Sequence, residues 1–182
     1  MARRRAVQPL CIGCNRNLEV ESAPESERED HLSLDISKIH DFLYLSAWPR
    51  REHLDEILRL NIRLILSMNW LPPHKSLAQP PLHLLWLPTF DTPLVPIPLA
   101  ALRRGVEAAL PVIHSGGAVL AHCRKGVHRG AAMASCVLIA LGWSATEAMR
   151  LVRLKRPAAD PEIWYIASRI RKFERYWHFR HS

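Results

Sequence analysis

The stretch AVLAHCRKGVHRG, residues 118–130, decides how this chain folds. Its first four residues, Ala118 to Ala121, are apolar and predict a buried strand. The polar residues that follow contain a glycine, Gly126, which indicates a tight loop. Residues 131–141 are then small or aliphatic and continue as a helical run. The stretch therefore predicts a strand, a tight loop and a helix in succession.

The predicted loop holds a cysteine, Cys123, and an arginine, Arg129, separated by five residues. A loop that leads into a helix directs backbone N–H groups at one point, and the helix dipole adds positive potential there. A phosphate dianion suits that point, and a thiol placed there is favoured as the nucleophilic thiolate. The planar guanidinium of Arg129 can hold two phosphoryl oxygens at once, which a lysine cannot do. This chemistry predicts attack of Cys123 on phosphorus and hydrolysis of the resulting cysteinyl-phosphate by water.

Residues 122–130, called here the cysteine loop, resemble the active-site loop of the cysteine-dependent protein tyrosine phosphatase superfamily. That loop reads His-Cys-x5-Arg followed by Ser or Thr. The resemblance implies that Cys123 is the nucleophile, that Arg129 clamps the phosphate, and that His122 tunes the thiolate from behind. The other residues of the loop are expected to bind phosphate, namely Arg124, Lys125, Gly126, Val127, His128 and Gly130. The alternative, a cysteine that only fills an α/β core, fits poorly with so many basic neighbours.

The superfamily also uses a carboxylic acid on a separate loop upstream of the cysteine, because the leaving oxygen must be protonated. Residues 82–88 are typical of a strand, and Asp91 follows them. Between Glu56 and Cys123 the acids are Asp91 and Glu107, and Glu107 falls on the polar side of a predicted helix. We therefore expect Asp91 to act first as general acid and then as general base. The alternative for Asp91 is a turn or capping residue.

The rest of the chain alternates strands with helices. The segment 36–47 looks like the opening hairpin of the dual-specificity phosphatases, and the resemblance to that family covers about residues 34 to 180. Further elements are predicted as a helix over 49–60, a strand over 61–67, a helix from 99 to the Gly116-Gly117 turn, a helix with a capping box at Ser144 and Glu147, and a last helix capped by Asp160. The fold class is therefore α/β, a dual-specificity phosphatase-like single domain with a mostly parallel central sheet flanked by helices. Cys123 would lie at the carboxyl end of a central strand, where such sheets bind ligands.

The N-terminal segment differs from the remainder in composition. Residues 1–30 begin with an arginine run and later become acidic, which predicts a disordered tail ahead of a catalytic domain over 31–182. The arginine run is a weak nuclear or anionic-surface signal. No apolar stretch suits a membrane span or a signal peptide, so we expect a cytoplasmic enzyme, with a nuclear location as the alternative.

The other three cysteines call for neither a metal nor a cofactor. Cys11 and Cys14 form a single C-x2-C without a second pair, so zinc is not expected. Cys136 falls on the helix after the cysteine loop, beyond disulfide reach of Cys123, and is expected in the core.

The charge of the chain bears on its substrate. The formal net charge is +8, and a basic field favours anionic substrates. The expected partner is a phosphorylated protein, carrying phosphotyrosine, phosphoserine or phosphothreonine, or another anionic phosphomonoester. Basic residues inside the cysteine loop keep phosphoinositides and inositol polyphosphates open as substrates. Nucleic acid is not expected, because basic and aromatic residues are not interleaved on an evident platform.

Gly130 departs from the superfamily pattern, which has Ser or Thr after the arginine. In the superfamily that hydroxyl stabilises the departing thiolate when the phosphoenzyme breaks down. Its absence predicts slow turnover, and it favours one alternative function, a non-catalytic phosphate-binding pseudophosphatase.

Overall fold

The computed structural model describes residues 33–181, which form a five-stranded sheet with helices on both faces. The strands are β1 (Ile36–His40), β2 (Leu43–Ser46), β3 (Ile62–Ser67), β4 (His83–Trp86) and β5 (Ala118–His122). Their order across the sheet is β1-β2-β5-β3-β4. All neighbouring strands run parallel except β1 and β2, which form an antiparallel hairpin. The predicted fold class is therefore confirmed, and β5, which leads into the cysteine loop, is the central strand.

The helices are α1 (Leu54–Arg59), α2 (Leu99–His114), α3 (Arg129–Ala140), α4 (Ala145–Lys155) and α5 (Trp164–His181). Helices α2 to α5 cover one face of the sheet, and α1 with a short 3-10 turn at Lys75–Ala78 covers the other. Successive side chains of β5 point to opposite faces of the sheet, so this strand contributes to the apolar core on each face. Val119 and Ala121 pack on the first face and Leu120 on the second, as a pleated strand requires.

Helix α3 is the central helix of the larger layer, and every residue from Arg129 to Ile139 is buried. A helix surrounded on all sides needs no polar stripe, which explains the unbroken run of small and aliphatic residues. The small side chains of Ala131, Ala132 and Ala134 let neighbouring elements approach closely. Six residues, 123–128, separate β5 from α3.

Several predicted elements are confirmed with small changes of boundary. The opening hairpin, the strand over 62–67 and the helix up to His114 occur as expected. The capping box at Ser144 and Glu147 is present, with the Glu147 N–H 3.3 Å from the Ser144 hydroxyl oxygen. The predicted helix over 49–60 begins with a 3-10 turn at Arg51–His53 and becomes α-helical at Leu54.

The prediction that Asp160 caps the last helix is wrong, because α5 begins four residues later at Trp164. The Asp160 carboxylate instead accepts a hydrogen bond from Arg153 at 3.1 Å. Its backbone N–H donates to the carbonyl of Val127 at 2.9 Å. Asp160 therefore ties the segment before α5 to helix α4 and to the cysteine loop.

Some expectations concern residues outside the range 33–181. The proposed tail, residues 1–30, lies outside the described residues, and so do Cys11 and Cys14. Within residues 33–181, no helix combines the length and the apolar character that crossing a membrane would need.

Candidate active site

The cysteine loop connects the end of β5 at His122 to the start of α3 at Arg129. Four successive carbonyl groups in it bond to atoms outside the loop. The Trp48 amide donates to the Arg124 carbonyl, and the Asp160 amide donates to the Val127 carbonyl. The Arg156 guanidinium donates to the carbonyls of Lys125 and Gly126. The four distances range from 2.9 to 3.3 Å. In a trans peptide the N–H points opposite to the carbonyl of the preceding residue. The amides of residues 125–128 therefore face the inside of the loop, where an anion would bind.

Arg156, the residue just after α4, is the main support of these carbonyls. Its Nε donates to the Gly126 carbonyl at 3.1 Å, and its Nη2 donates to the Lys125 carbonyl at 3.2 Å. Asp35 accepts from the same guanidinium through both carboxylate oxygens, at 2.9 and 2.7 Å. Because Arg156 is buried, this carboxylate and these carbonyls supply the partners that its charge requires.

Gly126 occupies the tightest point of the loop, with a positive φ of 67°. A side chain there would place its Cβ 2.6 Å from the Ser46 carbonyl oxygen and 2.9 Å from Nη2 of Arg156. Real Cβ atoms do not approach a backbone oxygen so closely, so the glycine is required by both its conformation and its surroundings.

We expect Gly126→Ala to weaken the binding of inorganic phosphate at least tenfold, because the loop must shift away from Ser46. Gly142→Ala is the matched control, since Gly142 also has a positive φ, of 99°, but has no atom within 4 Å of an added Cβ. Both variants carry the cost of about 1 kcal/mol for the left-handed conformation. Titration calorimetry with phosphate measures the difference, and equal binding by the two variants would contradict the assignment of Gly126.

Cys123 follows the last residue of β5 and Arg129 begins α3, so both lie at the carboxyl end of the sheet, as predicted. Cys123 is a free thiol with 1% of its surface exposed. The Arg129 guanidinium is held by one of its terminal nitrogens, Nη1, which donates to the carbonyls of Met68 at 3.1 Å and Thr89 at 2.9 Å. Its Nε is buried and has no hydrogen-bond partner among residues 33–181. A buried donor left unpaired in this way is suited to a bound oxyanion.

Asp91 lies opposite the cysteine loop, and three polar side chains surround its carboxylate. Oδ1 is 3.0 Å from His128 Nδ1 and 3.0 Å from the Tyr165 hydroxyl. Oδ2 is 3.5 Å from Arg129 Nε, which is within ion-pair range but is not a hydrogen bond. The candidate general acid is therefore next to the candidate phosphate clamp. A capping role for Asp91 has no support in these contacts.

An open pocket of about 510 Å³ lies between Asp91 and the cysteine loop. Its lining consists of Asp91, Arg124, Lys125, Val127, His128, Arg129 and Tyr165. Arg124 and Lys125 are exposed on its rim, whereas Arg129 is buried at its base. All but Tyr165 were predicted from the sequence. No group of three or more potential metal ligands occurs among residues 33–181.

His122 is fully buried beneath the loop, and its Nδ1 is 3.4 Å from the Cys123 carbonyl oxygen. Burial lowers the pKa of His122 to about 4, and the positive charge of Arg129 acts in the same direction. The imidazole is therefore neutral at physiological pH. It contacts the backbone of Cys123, which is compatible with the predicted role behind the thiolate.

The lowered pKa of His122 predicts acid sensitivity. Between its ordinary value of 6.5 and about 4, the unfolded chain binds a proton that the folded chain does not, so stability falls as the pH falls through this window. We expect the free energy of unfolding to drop by about 2 to 3 kcal/mol more in the wild type than in His122→Asn over this range. Urea denaturation at several pH values measures it, and parallel curves for the two proteins would refute the prediction.

Two residues of the site, Tyr165 and Arg156, were not identified from the sequence. Tyr165 lies beside the apolar stripe of α5 and reaches Asp91, which is 74 residues earlier in the chain. Arg156 contacts a loop that is 30 residues earlier. Neither has a local motif, so only the tertiary arrangement brings them to the site. Cys136, in contrast, is buried in the core as predicted, and burial raises the pKa of its thiol.

Comparison with known proteins finds similar sequences and folds, although no protein-family model matches the chain. Human dual specificity phosphatase 28 is 28% identical over 142 residues, which are 76% of this chain and 77% of that protein. The crystal structure of human DUSP28 superposes with a TM-score of 0.71 at 24% identity, over 79% of this chain and 99% of that one. A mouse putative dual specificity phosphatase complexed with zinc tungstate gives a TM-score of 0.72 at 22% identity, over 81% of this chain and 91% of that one.

The fold is an α/β domain similar to those of solved dual-specificity phosphatases. More narrowly, the chain is similar in sequence to human dual specificity phosphatase 28 and similar in fold to solved dual-specificity phosphatase structures. The resemblance to the dual-specificity phosphatases is thereby confirmed.

Proposed function

We propose that this protein hydrolyses phosphate monoesters through a cysteinyl-phosphate on Cys123. The observation that carries the proposal is the set of four outward carbonyls in the cysteine loop, which leaves four amides facing inward beside the thiol. The unpaired Nε of Arg129 adds a charged donor to the same place. Preorganised donors of this kind stabilise the charge that develops on the transferring phosphoryl group.

The reaction has two steps. In the first, the sulfur of Cys123 attacks phosphorus, the bond from phosphorus to the leaving oxygen breaks, and that oxygen takes a proton supplied through Asp91. In the second, Asp91 accepts a proton from water, the water oxygen attacks phosphorus, and the sulfur–phosphorus bond breaks. Inorganic phosphate and the Cys123 thiolate are released, so the enzyme returns to its starting state.

Phosphorylated proteins are the substrates we favour, with phosphotyrosine, phosphoserine or phosphothreonine as the hydrolysed group. The sequence similarity to a dual specificity phosphatase supports this choice. A second candidate class is the phosphoinositides and inositol polyphosphates. It is favoured by Arg124 and Lys125, which are exposed on the pocket rim and could bind further phosphate groups. One structural neighbour, PTPMT1, is described in complex with PI(5)P and has a TM-score of 0.70 at 23% identity.

The pseudophosphatase alternative depends on Gly130. A Cβ at this position would lie 2.9 Å from Leu45 Cδ1 and 3.1 Å from the His122 carbonyl carbon, so glycine suits the close approach of α3 to the sheet. The nearby Ser135 hydroxyl does not replace the missing one, because it donates to the Ala131 carbonyl at 2.9 Å. Gly130 thus has a packing reason that is independent of any loss of catalysis.

Hydrolysis of para-nitrophenyl phosphate tests the proposal. We expect activity in the wild type, a loss of about a thousandfold or more in Cys123→Ser, and retained activity in Cys136→Ala. Cys136 is the matched control because it is the other buried free cysteine of the described residues. If wild-type protein binds inorganic phosphate but releases no nitrophenol, the pseudophosphatase alternative replaces the proposal. With activity established, phosphopeptides and phosphoinositides compared by kcat/KM decide the substrate class.

A further inference from the structure

Three side chains from separate parts of the chain meet at one carboxylate oxygen. Oδ1 of Asp91 is 3.0 Å from Nδ1 of His128 and 3.0 Å from the hydroxyl of Tyr165. The Tyr165 hydroxyl is also 3.1 Å from His128 Nδ1, which closes a triangle of polar atoms. His128 belongs to the cysteine loop and Tyr165 to helix α5, so the candidate acid is bound to both.

The protons within this triangle can be counted. The pKa of Tyr165 is raised to about 12, first by burial and then by its hydrogen bond to Asp91, so its hydroxyl keeps its proton. That hydroxyl donates to Asp91 Oδ1. The remaining contact, from His128 Nδ1 to the same oxygen, needs one more proton. That proton can be carried by Nδ1 with Asp91 ionised, or by Asp91 with Nδ1 accepting. In both arrangements Nε2 carries the ring's own proton, so the pair holds one proton more than an Asp91 carboxylate beside a neutral imidazole.

We propose that His128 and Asp91 share one proton, and that this shared proton is the one delivered to the leaving oxygen of the substrate. Tyr165 is then a positioning residue, which holds Asp91 toward His128 without exchanging its own proton. The inference rests on the proposed function, because it assigns the source of a proton that phosphate monoester hydrolysis consumes.

The proton balance closes over the catalytic cycle. Before the first step the pair holds one proton, which passes from Asp91 to the leaving oxygen as the phosphorus–oxygen bond breaks. The pair is then an Asp91 carboxylate beside a neutral His128 imidazole. In the second step Asp91 takes a proton from the attacking water, and the pair again holds one proton.

Among residues 33–181, the other charged groups around the pair are three cations and one paired carboxylate. Arg129 lies 3.5 Å from Oδ2 of Asp91 and stabilises the carboxylate. The cations Arg124 and Lys125 line the same pocket, and Asp160 acts on Tyr165 but is paired with Arg153. A substrate phosphate that binds Arg129 would bring negative charge beside Asp91, which favours transfer of the shared proton from His128 to Asp91.

The sharing has a consequence for the pH dependence of the reaction. An isolated aspartic acid loses its proton near pH 4, whereas an isolated imidazole loses its proton near pH 6.5. A coupled pair releases its protons in steps that belong to the pair, and its last proton is retained to higher pH than that of an isolated carboxyl group. The enzyme should therefore keep its general acid up to the neutral range.

The test compares the pH profiles of kcat/KM for wild type, His128→Asn, His128→Ala and Tyr165→Phe, each scaled to its own maximum. Phenyl phosphate is the substrate, since its basic leaving oxygen requires protonation. Asparagine can keep a donor near the Nδ1 position but cannot titrate, so it separates proton supply from hydrogen bonding. We expect the fall in rate on the basic side to begin at least one pH unit lower in both His128 variants. Tyr165→Phe should reduce the rate several-fold at every pH without moving that fall.

A His128→Asn profile that coincides with the wild-type profile would overturn the inference and leave the proposed function intact. Absence of hydrolysis by the wild type would instead refute the proposed function. If the wild type is inactive, NMR spectroscopy tests the shared proton without any turnover of substrate. In nitrogen-15 NMR spectra of Cys123→Ser, we expect a protected imidazole N–H proton assigned to His128, and its loss on adding Asp91→Asn. An unchanged signal after that substitution would show that the two residues share no proton.

Discussion

The direction of four peptide planes in the cysteine loop is the constraint on which the candidate site depends. Amides converge on one point only if the carbonyls are drawn away from it, and each carbonyl needs a donor on the outside. Arg156 supplies two of these donors from one guanidinium, and the amides of Trp48 and Asp160 supply the others. The buried charge of Arg156 is balanced by Asp35. A single ion pair thus links the start of the domain to the loop at its centre.

Arg129 connects the two halves of the proposed chemistry. It begins helix α3, and through Nη1 it holds the carbonyl of Thr89, two residues before Asp91. The Thr89 hydroxyl donates to the Met68 carbonyl, which Arg129 also bonds, so the strand end and the segment carrying the acid are fixed together. Phe90 stacks on Trp70 with their ring centroids 4.4 Å apart, which adds a second attachment for the same segment. The position of the acid therefore depends on the residue that would bind phosphate.

Local pattern was enough to predict the fold and the cysteine loop. The apolar strand, the glycine and the small-residue helix follow one another in sequence, and the whole pattern lies within residues 118–141. Asp91 could be proposed because Asp91 and Glu107 are the only acids between Glu56 and Cys123. The pairing of Asp91 with His128 and Tyr165 could not be predicted from the sequence, since it depends on how α5 packs against the loop. The role of Asp160 was also beyond local pattern. An aspartate before a proline is typical of a helix cap, but Asp160 bonds instead to Arg153 and to the Val127 carbonyl.

The most direct test of the account is to trap the covalent intermediate. Wild-type protein mixed with para-nitrophenyl phosphate would be quenched in acid within milliseconds and digested, and its peptides examined by mass spectrometry. If Cys123 is the nucleophile, the peptide that contains it carries one phosphoryl group, and Cys123→Ser yields no such peptide. Rapid hydrolysis of the ester without phosphorylation of Cys123, or with phosphorylation of a different residue, would contradict this assignment.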